Sequence, residues 1–335
     1  MKQRRRELLR TALIALLLLC TSLILLRILL SRAPVSDAEP EPSAQPMRAA
    51  GGDAQLMLRV WSEGELRLVS AADYLPGVLA GEMPASFQPE ALRAQAVAAR
   101  TYILWKTAHG CVSHPEADVC DAPSCCKAWL SEAALREKWG GDYAENMARM
   151  RAAAADTDGW YLSWEGEPIQ AAFHASSPGQ TEDSGNIWQP LPYLVSVESP
   201  ETADDVPNFL TEAAFSAEAL RETLLRERPE AVFSGDPAEW LGETRRSETG
   251  RVASVELGGE TFTGQELRSL FGLRSACFTL EYTDTGFLFR VEGFGHGVGM
   301  SQYGAEVMAR SGASWRNILA HYYPGTEVVR LQTEN

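Results

Sequence analysis

Asp73-Tyr-Leu-Pro-Gly-Val-Leu-Ala-Gly-Glu82-Met-Pro84, followed after a short gap by Pro89-Glu-Ala-Leu-Arg-Ala-Gln-Ala-Val-Ala-Ala-Arg-Thr-Tyr-Ile-Leu104, is the stretch whose reading decides the fold. The first part reads as a short helix, with Asp73 as N-cap and Pro76 in the first turn, where a missing N–H does no harm. Leu75, Val78, Leu79 and Glu82 fall at i, i+3, i+4 and i+7, so a carboxylate continues an apolar stripe. Desolvation on that stripe would favour the neutral acid, the form a general acid needs. The plain alternative is a frayed terminal glutamate turned to solvent. Pro84 ends the helix in either case.

The second part is a strong helix with Pro89 in its first turn and Glu90 complementing the dipole. Leu92, Ala96, Ala99 and Ile103 form its packing face, and the alanines permit close approach. Arg93 and Arg100 share another face. That face is either solvated or, near Arg100 and Tyr102, placed to bind a sugar or hold a carboxylate.

Working outward, strand-like alternation covers Leu56–Val69, Trp160–Trp164, Ile169–Phe173, Val252–Leu257 and Phe278–Val291. Helical patterns cover Pro89–Lys106, Ser131–Arg136, Tyr143–Ala154, Ala217–Arg226, Gly264–Phe271 and Trp315–Tyr323. Their irregular interleaving favours an α+β fold over a doubly wound sheet. A chain of 335 residues with 45% apolar content can bury a real core.

Residues 1–32 carry a basic flank (Lys2, Arg4, Arg5, Arg6, Arg10) and an apolar run from Thr11 to Leu30 broken only by Arg27. This reads as a single-pass membrane anchor with the basic end in the cytoplasm and the remainder outside. A cleaved signal peptide is the rival reading, but no clear small-x-small cleavage site follows the run. Residues 33–54, rich in Pro, Ala, Ser and Glu, read as a flexible linker, and 55–335 as one ectodomain. The chain's net charge is −15 although its N-terminal segment is basic. So acidic an ectodomain is a poor nucleic-acid binder.

Cys111-x2-His114-x5-Cys120-x4-Cys125-Cys126 gathers five soft ligands. Disulfides are the default outside the membrane, yet the exported part has an odd number of cysteines, Cys277 being the last. Cys/His mixtures at short spacing suit tetrahedral Zn²⁺, and four protein ligands would make the site structural. Disulfides and free thiols stay open. Two polar segments follow. Phe173-His-Ala-Ser-Ser-Pro-Gly-Gln-Thr-Glu182-Asp is dense in hydrogen-bonding groups, and Trp188 and Tyr193 behind it are suited to stacking on sugar rings. Gly293-Phe-Gly-His-Gly-Val-Gly-Met-Ser-Gln-Tyr-Gly-Ala305 alternates glycine around His296, which requires close approach or positive φ. No Gly-Lys-Ser/Thr ends it, so a glycine-lined groove for an extended ligand fits better than a phosphate loop.

In this order, the motifs resemble the stage II sporulation protein D family, membrane-anchored lytic transglycosylases of peptidoglycan. The resemblance rests on Asp73 to Phe87, Glu90 to Tyr102, Ala117-Asp-Val-Cys120, Phe173-His-Ala-Ser-Ser177, Leu191-Pro-Tyr-Leu194, Gly250-Arg-Val252, Gly295 to Ala305 and His321-Tyr-Tyr-Pro-Gly-Thr326. It implies Glu82 as the catalytic acid/base. It further implies that Arg100, Tyr102, His174, Ser176, Ser177, His296, Gln302 and Tyr303 lie along the glycan cleft. Zinc-bearing members have His-x5-Cys-x4-His-Cys, so the implied ligands are His114, Cys120, Cys125 and Cys126, with Cys125 standing where the family often has His. Gly81 replaces a small residue that is usually alanine, and Ser177-Pro-Gly replaces Ser-Gly-Gly. The expected partners are glycan strands, a peptidoglycan amidase and a multi-pass membrane protein.

The implied reaction cleaves the β-1,4 bond between N-acetylmuramic acid and N-acetylglucosamine, leaving a 1,6-anhydro end. Ordinary hydrolysis would need a second carboxylate, for which Glu182 and Asp183 are available. A non-catalytic glycan-binding scaffold would tolerate loss of Glu82, and a zinc amidase would need an open metal position.

Overall fold

The computed structural model describes residues 52–122 and 125–331. The expected anchor (1–32) lies outside the described residues, as does nearly all of the expected linker (33–54); no described helix is long and apolar enough to cross a membrane. The linker's end does need correcting. Asp53 is already buried and part of the fold.

The chain is α+β, with several small sheets among helices. Strands β1 (Met57–Ser62) and β2 (Glu65–Ser70) form a hairpin whose two-residue turn, Glu63-Gly64, takes positive φ at both positions. That geometry matches the twist of the flanking strands. Helix α1 (Ala71–Glu82) and helix α2 (Pro89–His109) follow, then a short β3 (Val119–Cys120) that pairs parallel to β1. Helices α3 (Glu132–Trp139) and α4 (Tyr143–Asp156) lead into β4 (Trp160–Trp164) and β5 (Glu167–Pro168). Leu75, Val78, Leu79, Leu92, Ala96, Ala99 and Ile103 are all buried, as the apolar stripes require.

Two details of α1 differ from the sequence reading. Its N-cap is Ser70, whose Oγ accepts from the Asp73 N–H at 3.2 Å and donates to Asp73 Oδ2 at 2.6 Å. The helix therefore starts earlier, and Pro76 sits inside it. In the next segment, Ile169–Phe173 is mostly irregular, and only β6 (Phe173–His174) is strand.

Arg100 is the largest correction. It does not reach a cleft; it is fully buried. Its guanidinium donates to both Asp53 carboxylate oxygens at 2.6 and 2.5 Å, to Trp160 O at 2.9 Å and to Ala154 O at 3.2 Å. The far half of α2 is covered by α4 and β4, so a charge there survives only with a buried partner. Arg100→Met should leave Asp53 buried and unpaired, and is expected to destabilise the protein by about 3–5 kcal/mol. Urea denaturation measures this, and a loss under 1 kcal/mol would refute the clamp.

After β6 the chain leaves this core and builds a second one. Strands β7 (Leu210–Phe215), β11 (Phe278–Thr283) and β12 (Gly286–Glu292) make one sheet, and β8 (Leu241–Arg246), β9 (Val252–Leu257) and β10 (Glu260–Thr263) another. Helices α5 (Ala217–Glu227) and α6 (Gly264–Leu270) accompany them around Phe262, Phe287 and Phe289. The chain then returns as β13 (Met300–Ser301), parallel to β6, and closes with α7 (Gln302–Arg310), α8 (Trp315–Tyr322) and β14 (Glu327–Arg330) beside β4. The β6–β13 pairing brings the His174 and His296 segments together.

Candidate functional site

Glu82 ends α1 half-buried, and its Oε1 accepts from the Ala128 N–H at 3.2 Å. The segment supplying that N–H packs along α1 where side chains are missing. A Cβ on Gly77 would lie 2.6 Å from the Trp129 indole nitrogen, and one on Gly81 would lie 2.8 Å from Ala128 O. Gly81 therefore has a reason in this chain: backbone approaches it. Trp129 also stacks on Tyr74 at 5.9 Å.

Lys127, which sequence reasoning missed, enters with the same segment. Its ammonium lies 3.7 Å from the Phe173 ring centroid and 4.6 Å from that of Tyr102. Burial pushes its pKa down, and the charge of Glu82 offsets part of that. The only signal for Lys127 was its place directly after Cys125-Cys126. Tyr102 is thereby placed next to Lys127.

His296 faces the same cation. Burial first, then Lys127 and Arg268, lowers its pKa to about 3, and its Nδ1 accepts from the Val298 N–H at 3.0 Å. The proton of the neutral ring is therefore on Nε2. The His296 ring lies 5.7 Å from His174 and 5.0 Å from the exposed Trp188. His174 is buried, which pushes its pKa well below the usual range; its Nδ1 is 3.2 Å from Val298 O and its Nε2 2.6 Å from Ser177 Oγ. Two of the glycines around His296 have clear causes. A Cβ on Gly295 would lie 2.6 Å from His174 Cβ, and one on Gly297 would lie 2.6 Å from the Arg251 guanidinium; both have positive φ.

The remaining expected residues divide. Ser177 is internal wiring: its N–H donates to Glu201 at 2.6 Å, and Arg251 Nη2 donates to its Oγ at 3.1 Å. Ser301 Oγ caps α7 and donates to the same Glu201 carboxylate. Ser176 and Gln302 are buried, with Ser176 Oγ and Gln302 Nε2 lacking protein partners. Tyr303 packs on Phe87, in the loop after Glu82, at 5.0 Å. Glu182 is buried and accepts from Asp183 N–H, Asn186 Nδ2, Ser247 Oγ and Thr249 Oγ1 at 2.7–2.9 Å. Burial raises its pKa, but these donors outweigh it and bring the net shift down. Asp183 caps the next turn through the Gly185 N–H. Both Glu182 oxygens are thus taken up by protein donors, and Asp183 Oδ1 is engaged in its own turn.

Both histidines are held neutral in the fold, so the unfolded chain binds more protons below about pH 6.5. Stability is expected to fall as pH drops through that value, by up to about 1.4 kcal/mol per pH unit for each histidine. His296→Asn should remove one proton's share of the slope. Urea midpoints from pH 7 to pH 4 check this, and an unchanged slope would refute it.

The cysteine group also differs from the implied ligand set. Sγ atoms of Cys111, Cys120, Cys125 and Cys126 all lie within 4.8 Å of one another, with Cys111–Cys125 at 3.5 Å, Cys125–Cys126 at 3.8 Å and Cys111–Cys126 at 3.9 Å. His114 is elsewhere, stacked on Trp61 at 4.5 Å with its Nδ1 3.8 Å from Glu116. Tetrahedral Zn–S bonds of 2.3 Å put sulfurs about 3.8 Å apart, so the four thiols fit zinc. Four crowded thiolates also need a cation: burial first, then the neighbouring Cys120 charge, pushes the Cys126 thiol up.

Residues 62–164 match the SpoIID family, Stage II sporulation protein. Stage II sporulation protein D of Bacillus amyloliquefaciens is 37% identical over 259 residues, spanning 76% of this chain and 73% of that protein. Its namesake in Bacillus subtilis (strain 168) is 35% identical over the same shares. An Amidase enhancer of Bacillus subtilis (strain 168) is 28% identical over 75% of this chain and 40% of its own length.

Proposed function

Because this chain belongs to the stage II sporulation protein D family, we propose that it is a peptidoglycan lytic transglycosylase acting in spore formation, with Glu82 as its single acid/base. The observation that carries this reading is the setting of Glu82: a half-buried carboxylate on the Ala128 N–H, beside Lys127, where aromatic and histidine side chains converge. Neutral Glu82 protonates the leaving oxygen as the bond from the muramyl anomeric carbon breaks. The Ala128 N–H and the Lys127 charge stabilise the carboxylate left behind. That carboxylate then takes the proton of the muramyl 6-hydroxyl, whose oxygen bonds to the anomeric carbon. Water is neither consumed nor released, and the acid is restored.

The commitments of Glu182 and Asp183 elsewhere favour this route over two-carboxylate hydrolysis. The four cysteines would hold a structural zinc, cross-linking the loop that ends in Lys127-Ala128. The likeness to an amidase enhancer supports a peptidoglycan amidase as working partner, and the N-terminal apolar run supports a membrane anchor with the domain outside the cytoplasm. Mass spectrometry of digested glycan strands tests the reaction: 1,6-anhydro ends are expected, and reducing ends would overturn it.

A further inference from the structure

An aromatic cavity of about 580 Å³ is lined by Trp105, His109, Trp164, Gln170, Gln189 and Tyr193. That volume is in the range of small-ligand sites. Two elements connect it to the site. On α2, Tyr102 lies under Lys127, and Trp105 and His109 continue the same helical face; ring centroids are 5.9 Å apart for Tyr102–Trp105 and 4.4 Å for Trp105–His109. That face runs about 10 Å along the helix. Opposite it, the loop that sets Trp188 against His296 continues directly into Gln189 and Tyr193.

The floor is built rather than incidental. Trp164 is pressed against Gly325, where a Cβ would lie 2.7 Å from the ring, and lies 5.9 Å from Tyr193. Tyr193 Oη is fixed by the Gln170 N–H at 3.3 Å. The mouth carries Glu165 and Glu167, both exposed. Aromatic faces with amides and carboxylates at their edges suit a pyranose, whose C–H face stacks while its hydroxyl and acetamido groups hydrogen-bond. The two carboxylates disfavour an occupant that is itself an anion.

We propose that this cavity is a remote saccharide subsite, holding a neutral N-acetylhexosamine of the same strand whose scissile bond lies at Glu82. The assignment rests on the glycan-cleaving reading, so the test separates the two. Binding is measured by calorimetry on the full chain carrying Glu82→Gln, with chitohexaose and a hyaluronan hexasaccharide as probes. Chitohexaose should bind, hyaluronan at least about tenfold more weakly, and Trp164→Ala should weaken chitohexaose at least about tenfold. Trp164→Phe should restore much of that loss, and Gln189→Ala, in an exposed loop, should give a smaller loss without changing the melting temperature. On long glycan strands Trp164→Ala should raise KM with little change in kcat. Equal chitohexaose binding by Trp164→Ala and its parent, or equal binding of the two probes, overturns the subsite. Reducing ends from the unmutated chain, with tryptophan-dependent chitohexaose binding intact, overturn the reaction and leave the subsite standing.

Discussion

Glu82→Gln is expected to reduce glycan cleavage by about 10²–10⁴-fold, the usual contribution of a positioned general acid, while leaving the melting temperature and saccharide binding close to those of the parent. Glutamine keeps the shape and can still accept the Ala128 N–H through its amide oxygen. It can neither give up the proton that the leaving oxygen needs nor receive one from the 6-hydroxyl. Activity within tenfold of the parent would remove Glu82 from the chemistry. The contrast is Glu182→Gln. Its amide would have to replace an oxygen on which the Ser247 and Thr249 hydroxyls converge, so its main expected effect is lost stability. The same logic separates Lys127 from Arg100. Lys127→Met should lower kcat more than stability, because its charge faces Glu82, whereas the charge of Arg100 is spent wholly inside the fold.

Local signals carried much of this. The apolar stripe of α1 and the alanine-rich face of α2 were legible because helical period and burial agree at Leu75, Leu79, Leu92 and Ile103. Gly295 and Gly297 were legible as close-approach positions, since alternating glycine has few other causes. Arg100 was misplaced because spacing gives a face, not what covers it. Its partner, Asp53, came from a segment whose composition reads as linker. Lys127 was invisible for a related reason: its charge acts on Glu82 only because the cysteine loop folds back on α1, where Ala128 makes a contact far apart in sequence. The second core was under-read too. The edge strands β7 and β8 lack a clean apolar alternation, and β8 is almost wholly exposed on its own.

Purified chain is expected to hold one zinc, and removing it should lower stability and activity together. The described part of this loop is expected to rely on the cluster, because between Val119-Cys120 and α3 the described residues offer little regular secondary structure to hold it. Cys125 and Cys126 directly precede Lys127, whose charge acts on Glu82, and Ala128, whose N–H donates to it. Structural zinc in small peptides carries roughly 10–16 kcal/mol of apparent binding energy, so losing one ligand is expected to release the loop even if the rest of the fold survives. The discriminating pair is Cys111→Ser and His114→Ala. Cys111→Ser should lose the metal, as measured by plasma mass spectrometry under reducing conditions, with a lower melting temperature and slower cleavage. His114→Ala should keep one zinc, since its ring packs on Trp61 outside the four sulfurs. The reverse outcome would return His114 to the ligand set and displace Cys111. Full activity in metal-free protein would cut the link from the cysteine cluster to the acid.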